Sequence, residues 1–157
     1  MSLKPTSNPP SRWQFLVLAA GLLAGFFPAL LASVPVETRV QAVLVWGTDD
    51  AKPTGKALKE LDPKLREKLG KIFKWQNYFE VSRQNAGVLA GKAQGIKLNE
   101  ECSVEVKILP ENVAEVKLIG KGKTIVTRRH SLAKPDALVL AGDDKNNTAW
   151  FVVLNFN

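Results

Sequence analysis

The sequence predicts a mainly β (α+β) domain: an antiparallel β-sandwich or partly open barrel with one amphipathic helix, preceded by an apolar N-terminal leader. Three observations carry that expectation. From Tyr78 onward, apolar residues recur at every second position between short turn-rich breaks, the period of a strand with one buried face. Only the stretch after Asp62-Pro63 shows clear helical spacing. No charge appears between Arg12 and Glu37.

The leader comes first, over residues 1–33. Lys4 and Arg12 flank or precede a continuous apolar run that begins at Trp13. A basic start followed by such a run is the export pattern. The run partitions into hydrocarbon as a helix while the positive flank stays on the cytoplasmic side. Pro28 ends the run shortly before Ala32-Ser33, which favours cleavage, although Leu30 stands where a small residue is usual. The alternative is a retained N-terminal transmembrane helix, since the run has about the 20 residues a span needs. The expected address is periplasmic or secreted after cleavage, or anchored to the membrane.

Residues 34–39 read as a linker, and 40–157 as a single globular β-rich domain. The stretch 39–47 (RVQAVLVWG) is apolar on both alternating sides, so it predicts a strand covered on both faces. It is expected in the middle of a sheet, beside the equally apolar last strand. Residues 48–55 read as a loop. Asp62-Pro63 then opens a helix, because Asp accepts from free backbone N–H groups and Pro suits the first helical position. Leu65, Leu69, Ile72 and Phe73 form its apolar stripe, and Lys64, Lys68 and Lys71 the opposing one. Leu58 and Leu61 suggest a preceding turn.

Strands are expected over 78–83, 92–98, 102–109, 113–119, 123–130, 137–141 and 148–156, with 85–91 as a turn-rich link. One helix and about eight strands joined by hairpin-length links imply antiparallel sheets, with the helix at one edge or end. An outer-membrane barrel is disfavoured, because the strands fall short of the about nine to eleven residues needed.

The stretches 40–50 (VQAVLVWGTDD), 62–65 (DPKL) and 72–78 (IFKWQNY) together resemble a family of short exported β-rich proteins of Gram-negative bacteria. These share a leader, an apolar first strand, a short helix ending in a Phe-basic-aromatic-x-x-Tyr pattern, and a β-rich tail. The resemblance spans most of 40–156. It implies the domain layout and the exported address. It carries no catalytic signature, no assigned function and no site residues.

The chain has 22 basic and 15 acidic residues and a formal net charge of +7. Lys4 and Arg12 go with the leader, and the remaining domain stays moderately basic. That balance favours acidic surfaces such as anionic lipid or polysaccharide; nucleic acid is not the expected partner. The single cysteine, Cys102, excludes an internal disulfide framework. It reads as a small hydrophobe on a strand face. As a nucleophile it would need the single histidine, His130.

One cysteine and one histidine argue against zinc. Asp49-Asp50 and Asp143-Asp144 lack calcium-loop spacing and read as turn residues. No Gly-rich phosphate loop or G-x-S-x-G elbow is present. The expectation is a non-enzymatic chain with no cofactor, no metal site and no catalytic residues.

Two binding surfaces are candidates. Lys64, Lys68 and Lys71, followed by Trp75 and Tyr78, would set cations beside aromatics for a protein partner or sugar rings. The plainer reading is a solvated helix back, with the aromatics anchoring the helix to a sheet. Arg128 and His130 share one face of their strand, with Arg129 on the other. With a helix lysine they would contact an anion; otherwise they protect a strand edge. The expected function is an exported interaction domain, an adaptor or accessory component of an envelope assembly with a protein partner. The alternatives are a binding module for anionic lipid or polysaccharide, and a small hydrolase using His130 or Asp143.

Overall fold

The computed structural model describes residues 36–51, 57–141 and 148–157. The expected leader, residues 52–55 of the 48–55 loop and the Asp143-Asp144 pair lie outside the described residues.

The described chain forms β1 (Glu37–Thr48), β2 (Lys59–Glu60), α1 (Pro63–Ile72), β3 (Asn77–Leu89), β4 (Ala93–Lys97), β5 (Cys102–Leu109), β6 (Val113–Gly120), β7 (Lys123–Ser131), β8 (Leu138–Ala141) and β9 (Thr148–Phe156). A five-stranded sheet has the order β2-β3-β1-β9-β8, and a four-stranded sheet the order β4-β5-β6-β7. The strand pairs are antiparallel, and neither sheet closes into a barrel.

The alternation of side chains explains how the layers stack. Val40, Ala42 and Leu44 on β1 and Val152 and Leu154 on β9 pack against Val104, Val106, Val116 and Leu118 of the smaller sheet. The odd-numbered neighbours Val43, Val45, Phe151 and Val153 point the other way and meet Leu69 of α1. β1 is therefore covered on both faces and paired with β9 from Val40–Phe156 to Thr48–Thr148. That matches its unbroken apolar sequence. The helix lies across the outer face of the larger sheet, which corrects the expected position at an edge or end. A helix with a single apolar stripe needs an apolar surface to cover, and the odd side chains of β1 and β9 supply one.

α1 starts as its sequence implies. Asp62 Oδ1 accepts from Lys64 N at 3.1 Å and Leu65 N at 3.2 Å, with Pro63 at the first position. Leu65, Leu69 and Phe73 of the expected stripe pack on the sheet, whereas Ile72 is exposed; the Phe73 N–H donates to Leu69 O at 2.8 Å.

Three boundaries differ from expectation. β1 begins inside the segment read as a linker, because Glu37 and Thr38 pair with Leu89 and Val88. β3 runs straight through 85–89, read above as part of a turn-rich link, and only Ala90-Gly91 turns. The hydrogen bonds offered by β1 hold Asn85, Ala86 and Gly87 extended, overriding their weak strand propensity. Leu58 and Leu61 are buried but flank the short β2 strand, where a turn was expected. Among the described residues no helix is long and apolar enough to cross a membrane.

Candidate functional site

A cleft of about 500 Å³ opens between the two sheets at one end of the sandwich. Leu44 and Val152 line it from the larger sheet, and Cys102 and Leu118 from the smaller. Trp150 and Ile125 stand at its mouth, 38% and 52% exposed. Lys121, Lys123, Glu101 and Asn99 form the rim.

The cleft exists because small residues take inward positions at this end. Along β6, Ala114, Val116 and Leu118 face the core, so the alternation brings Gly120 to the same face. Gly120 pairs with Cys102 on β5 and with Lys123 on β7. On β9, Thr148 occupies the face of Trp150 and Val152. Elsewhere these faces carry mostly Val, Leu and Ile, which interdigitate in the core.

A β-bulge aims the mouth residues. Leu118 pairs with Val126, whereas Ile119 pairs with Thr124, so Ile125 is an extra residue in β7. The extra residue reverses the alternation. Lys123, opposite Gly120, therefore shares its inward face. The β6–β7 link is a two-residue turn with positive φ at both Lys121 (50°) and Gly122 (75°), the signature of a tight hairpin turn whose twist suits the flanking strands. Lys121 N donates to Glu101 O at 2.7 Å, tying this hairpin to the β4–β5 loop. Asn99 Oδ1 accepts from Glu101 N at 2.9 Å and Cys102 N at 2.6 Å.

The rim is net positive. Lys121 Nζ lies 4.0 Å from Glu101, with both side chains largely exposed. Lys123 makes no ion pair among the described residues. Burial pushes the Cys102 thiol up from its ordinary value, so it sits in the cleft as a neutral group.

The residues singled out from the sequence fall elsewhere. Lys64, Lys68 and Lys71 ride the helix, and Lys71 Nζ pairs with Glu67 Oε1 at 2.6 Å. That lysine holds the Glu67 carboxyl below its ordinary range. Trp75 and Tyr78 are 6% and 4% exposed, which agrees with the plainer reading of aromatics that anchor the helix to the sheet and not with the candidate contact surface. The Tyr78 hydroxyl donates towards Phe73 O at 3.3 Å and Leu69 O at 3.4 Å, which fastens the helix end to the sheet. Lys74 Nζ lies 4.7 Å from the centre of the Trp75 ring.

Arg128 and His130 pair with the inward-facing Val116 and Ala114, and Arg129 with the outward-facing Glu115. His130 stacks on Phe156 at 5.6 Å, with Nε2 3.1 Å from Asp136 O. The larger sheet separates this strand from α1, so no helix lysine joins Arg128 and His130. Cys102 and His130 lie at opposite ends of the smaller sheet, since Cys102 pairs with Gly120 and His130 with Ala114. Asp49 and Asp50 act locally: Asp49 Oδ1 accepts from Gln76 N at 3.1 Å, and Asp50 O accepts from Asn77 Nδ2 at 2.9 Å.

Sequence reasoning missed Gly120, Lys123, Ile125 and Trp150 as a group. The available signal was the inward register of Gly120 after Ala114, Val116 and Leu118. The bulge at Ile125 hid the other half, because simple alternation from the inward Val126 assigns both Lys123 and Ile125 to the outward face. Protein-family models, curated proteins and solved structures were all compared with the chain, and none matches it.

Proposed function

We propose that this chain is an exported, non-enzymatic binding module that takes the apolar part of a small ligand into the open end of its sandwich. The cleft carries the reading: an inter-sheet space of about 500 Å³ with an apolar floor and two large hydrophobic residues exposed at its mouth. That volume lies in the range of small-molecule sites, and such sites are mostly apolar with a few polar groups that fix orientation. Trp150 and Ile125 remain partly in water in the described structure, so a ligand that covers them gains the free energy of removing apolar surface from solvent. The adaptor reading loses the aromatic half of its surface, since Trp75 and Tyr78 are buried.

The test uses the full chain and the neutral fluorescent probe N-phenylnaphthylamine. Saturable enhancement that disappears in Ile125→Asp, with thermal melting unchanged, supports the reading. Enhancement of equal size in that variant, or none in the wild type, overturns it.

A further inference from the structure

The polar side of the cleft adds a second, independent set of observations. The row across the smaller sheet at the mouth is Cys102, Gly120, Lys123. Its first two members are small and leave space. Its third is a lysine that the Ile125 bulge turns inward. Lys121 stands one residue before the turn glycine, and both lysines line the cleft at this hairpin. Glu101 is the acid of the rim and sits 4.0 Å from Lys121. Two cations against one anion leave a positive lip over an apolar floor.

We infer that the ligand is a free, single-chain amphiphile with an anionic head. Its chain lies in the mouth between the sheets against Ile125 and Trp150, above the buried Leu44, Leu118 and Val152, and its head group rests at Lys121 and Lys123. This inference rests on the cleft being the ligand site, as proposed above. Size and charge select the occupant. A methylene group is close in size to the ~30 Å³ share of one liquid water, so the cleft accepts a chain of roughly a dozen carbons. The floor, made by side chains of Leu44, Leu118, Val152 and Cys102, offers little to hydrogen-bond a sugar ring. A polysaccharide therefore fits it poorly, because polar groups moved there lose their water partners. An anion at the lip keeps its contact with water while gaining two positive neighbours.

Three probes of equal chain length and different head separate the outcomes: laurate, dodecanol and dodecyltrimethylammonium, each below its micelle concentration, titrated into the full chain by calorimetry. The expected order is laurate tightest, then dodecanol, then the cation. Laurate should exceed the cation roughly tenfold at low salt, with the gap closing as salt is raised. In Lys121→Gln/Lys123→Gln, which leaves Glu101 as the rim charge, laurate should lose its lead over the cation, and in Lys121→Glu/Lys123→Glu the order should invert clearly. Dodecanol affinity should stay within about twofold in both variants, as it meets only the apolar floor.

Equal affinity for all three heads in the wild type overturns the head-group inference and leaves the apolar site standing. Binding of none of the three overturns the site as well. Binding of anionic vesicles without binding of monomeric laurate overturns the inference in favour of a membrane surface.

Discussion

Ile125 lies across the bare backbone of Gly120: a β-carbon on that glycine would collide with Ile125 Cδ1 and crowd Cγ1 at 3.3 Å. Gly120 has ordinary strand geometry, so its value here is space alone. Replacing it with Val fills the cleft from below and pushes Ile125 outward. The obstacle is the end of a flexible side chain and Val favours strands, so stability should change by less than about 1 kcal/mol. Probe affinity should fall about tenfold or more, the equivalent of about 1.4 kcal/mol. Fluorescence titration beside a urea melt checks both. A Gly120→Val variant that binds as well as wild type would remove the cleft from consideration.

Gly47 tells a different story. A β-carbon there would stand 2.8 Å from both Trp75 Cδ1 and Phe151 Cε2. Both are ring atoms, and the core around Trp75 and Phe151 is closed, so neither ring has room to retreat. Gly47→Ala should cost about 1–3 kcal/mol, the usual penalty of overpacking. Gly70 supplies the opposite case: it lies within the helix, and a β-carbon there meets nothing within 4 Å. Gly70→Ala should stabilise by about 0.5–1 kcal/mol, by restricting the unfolded chain and improving helix propensity. Urea unfolding of the two variants should move in opposite directions.

The second bulge produces an ion pair. Leu44 pairs with Ser82 and Val45 with Glu80, so Val81 is the extra residue in β3. Residues three apart in a regular strand face opposite ways; the bulge returns Glu80 and Arg83 to one face. Arg83 Nη2 donates to Glu80 Oε2 at 2.6 Å, and Nη1 donates to Gln41 Oε1 at 2.7 Å. The Glu80 hydrogen bonds, acting before its charge, hold the Arg83 guanidinium above its already high ordinary range.

The pair is asymmetric, with side chains 9% exposed for Glu80 and 34% for Arg83. Removing the arginine strands a nearly buried carboxylate, whereas removing the carboxylate leaves a cation that water reaches. Arg83→Ala should therefore cost more than Glu80→Gln, about 2–3 against about 1 kcal/mol. Equal losses in urea unfolding would contradict that asymmetry.

Alkaline pH should weaken the fold in two steps. Burial raises the Cys102 thiol above 9.0. Burial chiefly, helped by the Asp49 charge and opposed by a hydrogen bond from the Trp75 backbone, raises the Tyr78 hydroxyl above 10.0. The unfolded chain then loses these protons first, so stability is complete below about pH 9 and falls as pH rises beyond it. Cys102→Ala should remove the first part of the decline and leave the second, near pH 10. Urea midpoints measured from neutral to alkaline pH check this. A wild-type midpoint that holds constant through pH 10 would contradict it.

Much of the architecture was legible because local and global signals agree. β5 and β9 occupy the residues their alternation marks, and Asp62-Pro63 opens α1. The central place of β1 follows from its two apolar sides. Where the reading failed, a partner strand overruled local propensity: residues 85–89 look like a turn in isolation but are held extended by β1. The site was mostly hidden. Its lysines and its aromatic acquire meaning only through two features that lie outside simple alternation, the bulge at Ile125 and the missing side chain at Gly120. Trp75 and Tyr78 stayed ambiguous for a related reason. Nothing in IFKWQNY says whether its aromatics turn outward or, as here, inward, with Trp75 over the bare backbone of Gly47.

The most direct measurement is the rate at which a small neutral maleimide alkylates Cys102 in the full chain. Cys102 is the single cysteine and lines the cleft, so its modification reports on this end of the sandwich. Saturating laurate should slow alkylation roughly tenfold, as access to a buried thiol governs its reactivity, and Ile125→Asp should abolish that protection. An unchanged rate at laurate concentrations that calorimetry shows to be saturating would contradict the placement of the ligand between the sheets.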